Sequence, residues 1–486
     1  MALLVRYGYI PAPYCIYEQV AKLLPGCVLT MTEAMIQSRA TASPRPYWSL
    51  QAVAEAGLAQ PFAGTADEAA DQLQALLLES VRQQMVADVP LGAFLSGGID
   101  SSLVAGLMQA QSPRPVKTFS IGFYQNGFDE APYAKAVAQH LGTDHTEFYV
   151  RPGELRQVIS RLPGIYDEPM ADSSQIPTVL LCALARQQVT VSLSGDAGDE
   201  LFGGYASYRK AQRLWPVLAL MPRWLRNGAA RALKPAAGWG LRAGLGPRAV
   251  QGLLERAVNF SEVLPMPSER ALHQLLMSPN REPLNWLRAK EEPLTALDEL
   301  WAWQRLPRLL PRMMYVDTLS YLPDDILVKV DRAAMAVSLE TRIPLLDHRV
   351  IEFAWRLPQR LQQRRGCGKW LLRQVLHRYV PPELVERPKK GFAVPLAAWL
   401  RGPLRSWAEA LLSESRLRRE GFLNEKTVGR RWQEHLAEQR DWGQALWHVL
   451  MFEAWLEQQR APAAAQTEEP AVTASERAGQ FDLCQR

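Results

Sequence analysis

The sequence predicts a doubly wound parallel α/β sheet joined to a mostly helical second lobe. Between residues 67 and 194 short apolar runs alternate with helix-periodic segments, the rhythm of strands linked by covering helices. A Gly-rich turn stands between one of those runs and the next helix, where parallel sheets place ligands. Beyond Tyr205 strand patterns fade, helical spacing runs to about Gln459, and fourteen of the fifteen tryptophans are found there.

Taken in order, residues 1–35 are broken by Pro11, Pro13, Pro25 and Gly26 and are too few for a domain. Residues 36–65, rich in Ala, Ser and Pro, are expected as a surface linker. A helix over 67–88 is predicted by Leu73, Leu76, Leu77, Val81 and Met85 and by its acidic start. Strands are predicted over 91–96, 116–123, 145–150 and 190–194, and helices over 100–109, 129–141 and 177–187. The unit 66–460 therefore divides into an α/β core, 66–205, and a helical lobe, 206–460. Residues 461–486, rich in Ala, Glu, Pro and Thr, are expected as a disordered tail.

Composition narrows the function. With 486 residues, 48% of them hydrophobic and 22% charged, the chain has the make-up of an ordinary globular protein of two or three domains. Its 55 basic and 50 acidic residues leave a net charge of +5, too mild by itself to demand a nucleic-acid or membrane partner. The expected partners are small molecules, with no nucleic acid and no membrane, and a homodimer left open. Cys15, Cys27, Cys182, Cys367 and Cys484 are odd in number and form no CxxC pair, so they read as reduced thiols of a cytoplasmic protein. No signal peptide is expected from the opening Met1-Ala2, and no apolar run approaches about 18 residues. The seven histidines show no zinc spacing, and no G-x-S-x-G elbow occurs.

The strongest local signal is Phe94-Leu95-Ser96-Gly97-Gly98-Ile99-Asp100-Ser101-Ser102. Two glycines let the backbone approach an anion, the following helix offers free N–H groups and its positive end, and Ser96, Ser101 and Ser102 add hydroxyls. Neither the lysine of a Walker loop nor a G-x-G-x-x-G run accompanies them. An acid at Asp100 instead suits a magnesium-bound pyrophosphate. A Gly-Gly turn capped by Asp and Ser would need no ligand, but S-G-G-x-D-S arises by chance in roughly one such chain per thousand. The loop resembles the pyrophosphate loop of the ATP pyrophosphatases of the adenine-nucleotide α-hydrolase type. Alone it leaves asparagine, GMP, NAD and argininosuccinate synthetases and tRNA-modifying ligases open.

A second constellation, Ser192-Leu193-Ser194-Gly195-Asp196-Ala197-Gly198-Asp199-Glu200-Leu201-Phe202-Gly203-Gly204-Tyr205, crowds three acids where like charges repel unless a cation is shared. It resembles the S-G-[ED]-x-x-D-E-[LV]-F-G-G-Y signature of the asparagine synthetase family, with Ala197 where Gly is frequent. The likeness continues through Tyr321-Leu322-Pro323-Asp324-Asp325 and on to Lys329, Asp331, Arg332, Met335, Glu340, Arg342, Pro344, Leu345 and Asp347, whose charges also read as a salt-bridge network between helices. Arg387-Pro388-Lys389-Lys390-Gly391-Phe392 is similar to the family's lysine loop, and otherwise reads as a basic surface turn. Asp167-Glu168-Pro169 with Asp172-Ser173-Ser174 is expected on a loop facing the acceptor, and departs from the Thr- and Arg-containing segment of aspartate-specific members.

The resemblance implies an ATP-dependent amide-forming ligase. Aspartate would become asparagine through a β-aspartyl-adenylate, with AMP and pyrophosphate released and ammonia, or glutamine-derived nitrogen, as donor. Ser96, Gly97, Gly98, Ser101 and Ser102 would hold pyrophosphate, and Asp100 and Asp199 would bind Mg2+. Leu95, Ile121, Ser194 and Gly195 would complete the ATP site, with the Ile121 backbone against adenine. Lys389, Asp196 and Asp199 would be catalytic, Lys389 countering phosphate charge and Asp196 placing the acceptor or handling the amine proton. Amidation or ring closure of another carboxylate, a nucleotide-binding partner subunit without activity, and a nucleic-acid-modifying ligase are the alternatives.

Glutamine-dependent members of the family carry an N-terminal glutaminase domain opening on a nucleophilic cysteine after Met1. This sequence has Ala2 there, and Tyr7-Gly8-Tyr9-Ile10-Pro11-Ala12-Pro13 with Lys22-Leu23-Leu24-Pro25-Gly26 resembles the last strands of such a domain. Residues 1–35 are accordingly expected as its remnant. The isolated chain should release no glutamate from glutamine; a coupled glutamate assay reading above background would overturn that expectation.

Overall fold

The computed structural model of the chain describes all residues except 39–41, 124–128, 151, 243–247, 290, 299, 365, 388–393 and 461–486. At its centre, among the described residues, lies a five-stranded parallel sheet of β1 (Leu91–Phe94), β2 (Lys117–Phe123), β3 (Asp144–Val150), β4 (Val191–Leu193) and β5 (Glu340–Arg342), in the order β3-β2-β1-β4-β5. The chain steps outward from β1 through β2 to β3, then returns to build β4 and β5 on the other side. Strand order thus reverses between β1 and β4, and the loops at their C-terminal ends open onto one crevice. Ala93, Phe119 and Leu193 are fully buried, as expected for strands covered on both faces.

The covering helices form where the spacing predicts them: Ala66–Gln84, Ile99–Ala110, Ala131–Leu141 and Gln175–Arg186. The first is closed by a reciprocal capping box between Thr65 and Glu68 and buries Leu73, Leu77 and Val81 along one stripe. Ala131–Leu141 ends on Gly142 in the left-handed region, φ 71°. The helical lobe is built around a satellite core of Tyr208, Leu218, Leu272, Leu310 and Met313. Gly443–Arg460, by contrast, is buried nearly all round in the main core through Leu446, Trp447, Leu450 and Phe452.

Four features depart from the expectation. β5 arises inside the stretch read as helical, because three residues are too few to show a period of two. Pro152–Ile165 is a helix that went unread; Pro152, Gly153, Pro163 and Gly164 masked it. The expected linker contains the helix Leu50–Ala59, started by Ser49, whose hydroxyl accepts the Ala52 N–H at 3.4 Å. Alanine-rich sequence reads as loop by composition, yet alanine is the best helix former. Finally, the strands expected near residues 7–13 are not formed. Residues Ala2–Tyr7 make a short buried helix ending at Gly8, φ 89°.

That opening segment is tied into the body. The Ala171 N–H donates to the Gly8 carbonyl at 2.7 Å, and the Ala12 N–H donates to Asp324 Oδ2 at 2.9 Å. His448, on the buried helix, is 2.9 Å from the Val5 carbonyl. Cys15, Cys27, Cys182 and Cys367 are free thiols; Cys484 and the expected disordered tail lie outside the described residues. No helix among the described residues is long and apolar enough to cross a membrane.

Gly57 lets Leu50–Ala59 lie against His348–Arg356, since a Cβ there would overlap the Trp355 carbonyl oxygen. Gly57→Ala should therefore cost about 1–3 kcal/mol, read as a lower urea midpoint with an unchanged slope.

Candidate active site

The loops after β1 and β4 are neighbours because Leu91 pairs with Val191 and Ala93 with Leu193. Each is anchored at its root: the Leu95 N–H donates to the Phe119 carbonyl at 2.9 Å, and the Ser194 N–H to the Arg342 carbonyl at 2.8 Å. Gly97 turns in the left-handed region, φ 70°, where an added Cβ would come within 2.8 Å of the Ala134 backbone nitrogen. Ile99–Ala110 then begins without a side-chain cap, so its first-turn N–H groups remain available to an anion. Ser96 and Ser101 hold each other, hydroxyl to hydroxyl at 2.9 Å, and the Ser96 N–H donates to Ser101 Oγ at 3.1 Å. Ser102 is fully buried. Ile121 is buried on β2, in register with Phe148.

The second loop is pressed against the first. A Cβ on Gly195 would come within 2.6 Å of the Asp100 carbonyl carbon, and one on Gly198 would overlap the Asp100 carboxylate. Ala197, at the position where Gly is frequent, adopts φ 74°, a strained conformation for a residue with a side chain. Asp199 and Glu200 sit on the turn of helix Gly198–Phe202, and the Ser194 hydroxyl donates to Asp196 Oδ2 at 2.6 Å.

Between the loops is a residue the sequence reading missed. Lys369 reaches in from a distant segment, and its ammonium ion-pairs with both Asp100 Oδ2 and Asp199 Oδ1, the latter at 2.7 Å. Its side chain is buried, its own φ is 57°, and its N–H donates to the Phe202 carbonyl at 2.9 Å. A Cβ on the preceding Gly368 would overlap the Gly203 carbonyl, so only glycine permits this approach. Gly366-Cys367-Gly368-Lys369, a lysine behind paired glycines, was the available signal.

The charges at this centre are unequal. Burial, then the Asp199 charge, pushes the Glu200 carboxyl up to about 8, and the Tyr205 hydroxyl donates to its Oε1. Two carboxylates then face one ammonium, with a neutral Glu200 beneath. Asp100 Oδ1 is buried with no hydrogen-bond partner among the described residues. That surplus oxygen fits Mg2+, which takes one or two carboxylates and completes its shell with substrate phosphates. A protein-only cage is a different matter: among the described residues no three His, Cys, Asp or Glu side chains converge.

Deeper in, Lys329 lies 2.5 Å from Asp172 Oδ2, which also accepts from the Ser174 hydroxyl at 2.8 Å, while Asp172 Oδ1 accepts from the Ser174 N–H at 2.9 Å. Burial works against the Lys329 charge, but Asp172 and Asp325 outweigh it and raise its pKa, with a smaller contribution from Asp196. Asp325 is held well above the carboxylate range by burial and by Asp172. Much of the loop expected to face the acceptor is engaged elsewhere. Asp167 pairs with Arg332 at 2.6 Å, while Glu168 pairs with Lys22 and accepts the Ile16 N–H at 3.0 Å. Farther along, Asp347 caps His348–Arg356, and Arg342 binds Glu340 at 2.6 Å.

Lys389 lies outside the described residues. At the foot of its segment, Arg387 donates to the Ser96 carbonyl at 3.2 Å, pairs with Glu130 at 3.4 Å and covers the Tyr133 ring at 3.9 Å.

Residues 72–457 match the sequence model for asparagine synthase. The chain belongs to the asparagine synthase family. It is 30% identical over 465 residues to the glutamine-hydrolyzing asparagine synthetase 1 of Bacillus subtilis (strain 168), covering 93% of this chain and 67% of that protein. A putative glutamine-hydrolyzing asparagine synthetase of Mycobacterium tuberculosis (strain H37Rv) is 33% identical over 452 residues, covering 92% of this chain and 65% of the other. The amidase chyE of Penicillium rubens is 26% identical over 443 residues, covering 84% and 63%. The chain spans about two thirds of the length of these relatives. As an asparagine synthase family member it is a carbon–nitrogen ligase, and ATP is the nucleotide of that family.

Glu200 generates a pH prediction. The folded chain keeps the Glu200 proton up to about 8 whereas the unfolded chain releases it in the ordinary carboxyl range. Its contribution to stability is present at low pH and lost as pH rises between those values. Glu200→Gln should make the fall in melting temperature over that window shallower, and an unchanged profile would contradict the assignment.

Proposed function

We propose that the chain activates the β-carboxylate of aspartate with ATP and transfers ammonia to it, giving asparagine, AMP and pyrophosphate. In the first step a carboxylate oxygen attacks the α-phosphorus, and the bond to pyrophosphate breaks. In the second, ammonia adds to the acyl carbon, loses a proton, and AMP leaves with the C–O bond electrons. The observation carrying this reading is the meeting of Asp100 and Asp199, from loops a hundred residues apart, on the buried ammonium of Lys369 at the strand-order reversal.

In this reading the open first turn of Ile99–Ala110, with Ser96, Gly97, Gly98, Ser101 and Ser102, cradles the pyrophosphate. Asp100 and Asp199 would hold Mg2+, which supplies charge neutralisation of the phosphates when bound. Lys369 supplies a fixed positive charge at the same place, and Lys389 a further one from its loop. Leu95, Ile121, Ser194 and Gly195 flank the nucleotide. Asp196, oriented by the Ser194 hydroxyl, accepts the amine proton.

A different acceptor carboxylate is the second reading, favoured by the similarity to the Penicillium amidase. ATP–pyrophosphate exchange with a panel of acids decides between them. Exchange should need magnesium and be greatest with aspartate; greater exchange with another acid would move the reading to that substrate, and none with any acid would end both. Asp199→Asn and Lys369→Gln should each lower exchange about 100-fold or more. Wild-type rates in both variants would remove the ion-paired centre from the mechanism.

A further inference from the structure

We propose that the helical hairpin of the second lobe is a docking surface for an anionic lipid bilayer. Whole-chain charge conceals it. Residues 206–256 hold ten Lys and Arg against the single acid Glu255, a local charge of +9 when the entire chain is only +5. The remaining residues together are therefore net negative, and the basic excess belongs to this lobe.

The segment forms Ala206–Leu220, Arg223–Arg242 and Arg248–Val263, the last two packed along each other. Its outer faces are unusually apolar for solvent. Leu220 is 86% exposed, Trp224 74%, Leu253 61% and Val217 58%. Basic side chains are interleaved with them: Trp224 and Arg231 lie seven residues apart on one face of their helix, and Lys210, Arg213 and Arg256 are exposed on the flanking helices. Among the described residues none of these four cations has an acidic partner, unlike Arg226, which is buried and donates to the Met266 carbonyl at 2.9 Å. An apolar groove between the helices, lined by Met221, Ala229, Ala232, Leu233, Phe260 and Leu264, continues the same surface inward.

Cations alone would suit any polyanion. The exposed leucines, valine and tryptophan select the bilayer: a nucleic-acid backbone removes none of them from water, whereas the headgroup–acyl boundary takes apolar side chains and tryptophan while phosphates meet the arginines. The helices need only lie in the interface, so the absence of a spanning helix among the described residues is no obstacle.

The test is sedimentation of the full chain with vesicles of phosphatidylcholine alone or with about one third phosphatidylglycerol. The protein should pellet with the anionic vesicles, stay in solution with the neutral ones, and be released as salt rises. Arg231→Gln/Arg256→Gln should weaken binding about 25-fold, at about fivefold for each basic residue near an anionic surface. Leu220→Ser/Trp224→Ser should weaken it with charge unchanged. Unaltered melting curves establish that both variants are folded, and the wild-type salt titration needs no variant. Failure to pellet with anionic vesicles, equal pelleting with neutral ones, or tighter binding to duplex DNA that survives Leu220→Ser/Trp224→Ser would each overturn the proposal.

Discussion

The ion-paired triangle of Asp100, Asp199 and Lys369 is the constraint on which the rest of the site depends. Two carboxylates brought together in a buried crevice repel, and folding alone gives no reason to bear that cost. Lys369 makes the approach tolerable but leaves an excess negative charge. The surroundings accept further local costs to keep this arrangement. Ala197 and Lys369 both hold left-handed backbone, and Gly195, Gly198 and Gly368 stand where any side chain would collide with a neighbouring loop. The strain and the charge fall at the same place, where the sheet reverses its strand order.

Around this centre, buried charges are sorted by their partners. Glu200, buried and with Asp199 close by, holds its proton although the Tyr205 hydroxyl donates to it. Asp172, with Lys329 and Ser174, is held ionised, below the usual carboxylate range despite burial. Asp325, beside the same lysine but also beside Asp172, goes the other way. Of three acids in one region, two are thus shifted up and one down because different neighbours surround them.

Much of this was legible in the residues. Alternation and the Gly-rich turn placed four of the five strands, and the spacing of Asp100 and Asp199 within their motifs marked the two loops. Lys369 had only the weak signal of its flanking glycines, because its meaning comes from a contact across 170 residues of chain and that local sequence is not distinguishable from a basic turn. β5 was hidden by its length, and Leu50–Ala59 by a composition shared with linkers. The acids of the 167–174 loop looked alike in sequence; only packing separates Asp167 and Glu168, spent on Arg332 and Lys22, from Asp172, turned toward Lys329.

The position of β5 bears on how the molecule is made. Some 145 residues, the greater part of the helical lobe, are synthesised between β4 and the strand that pairs with it. Until Glu340–Arg342 emerges, β4 is a raw sheet edge, and the loop holding Asp196 and Asp199 lacks the Arg342 carbonyl that anchors it. So distant a pairing raises contact order and slows assembly. This side of the crevice therefore matures late during translation, after most of the ribosome's work on the chain is done.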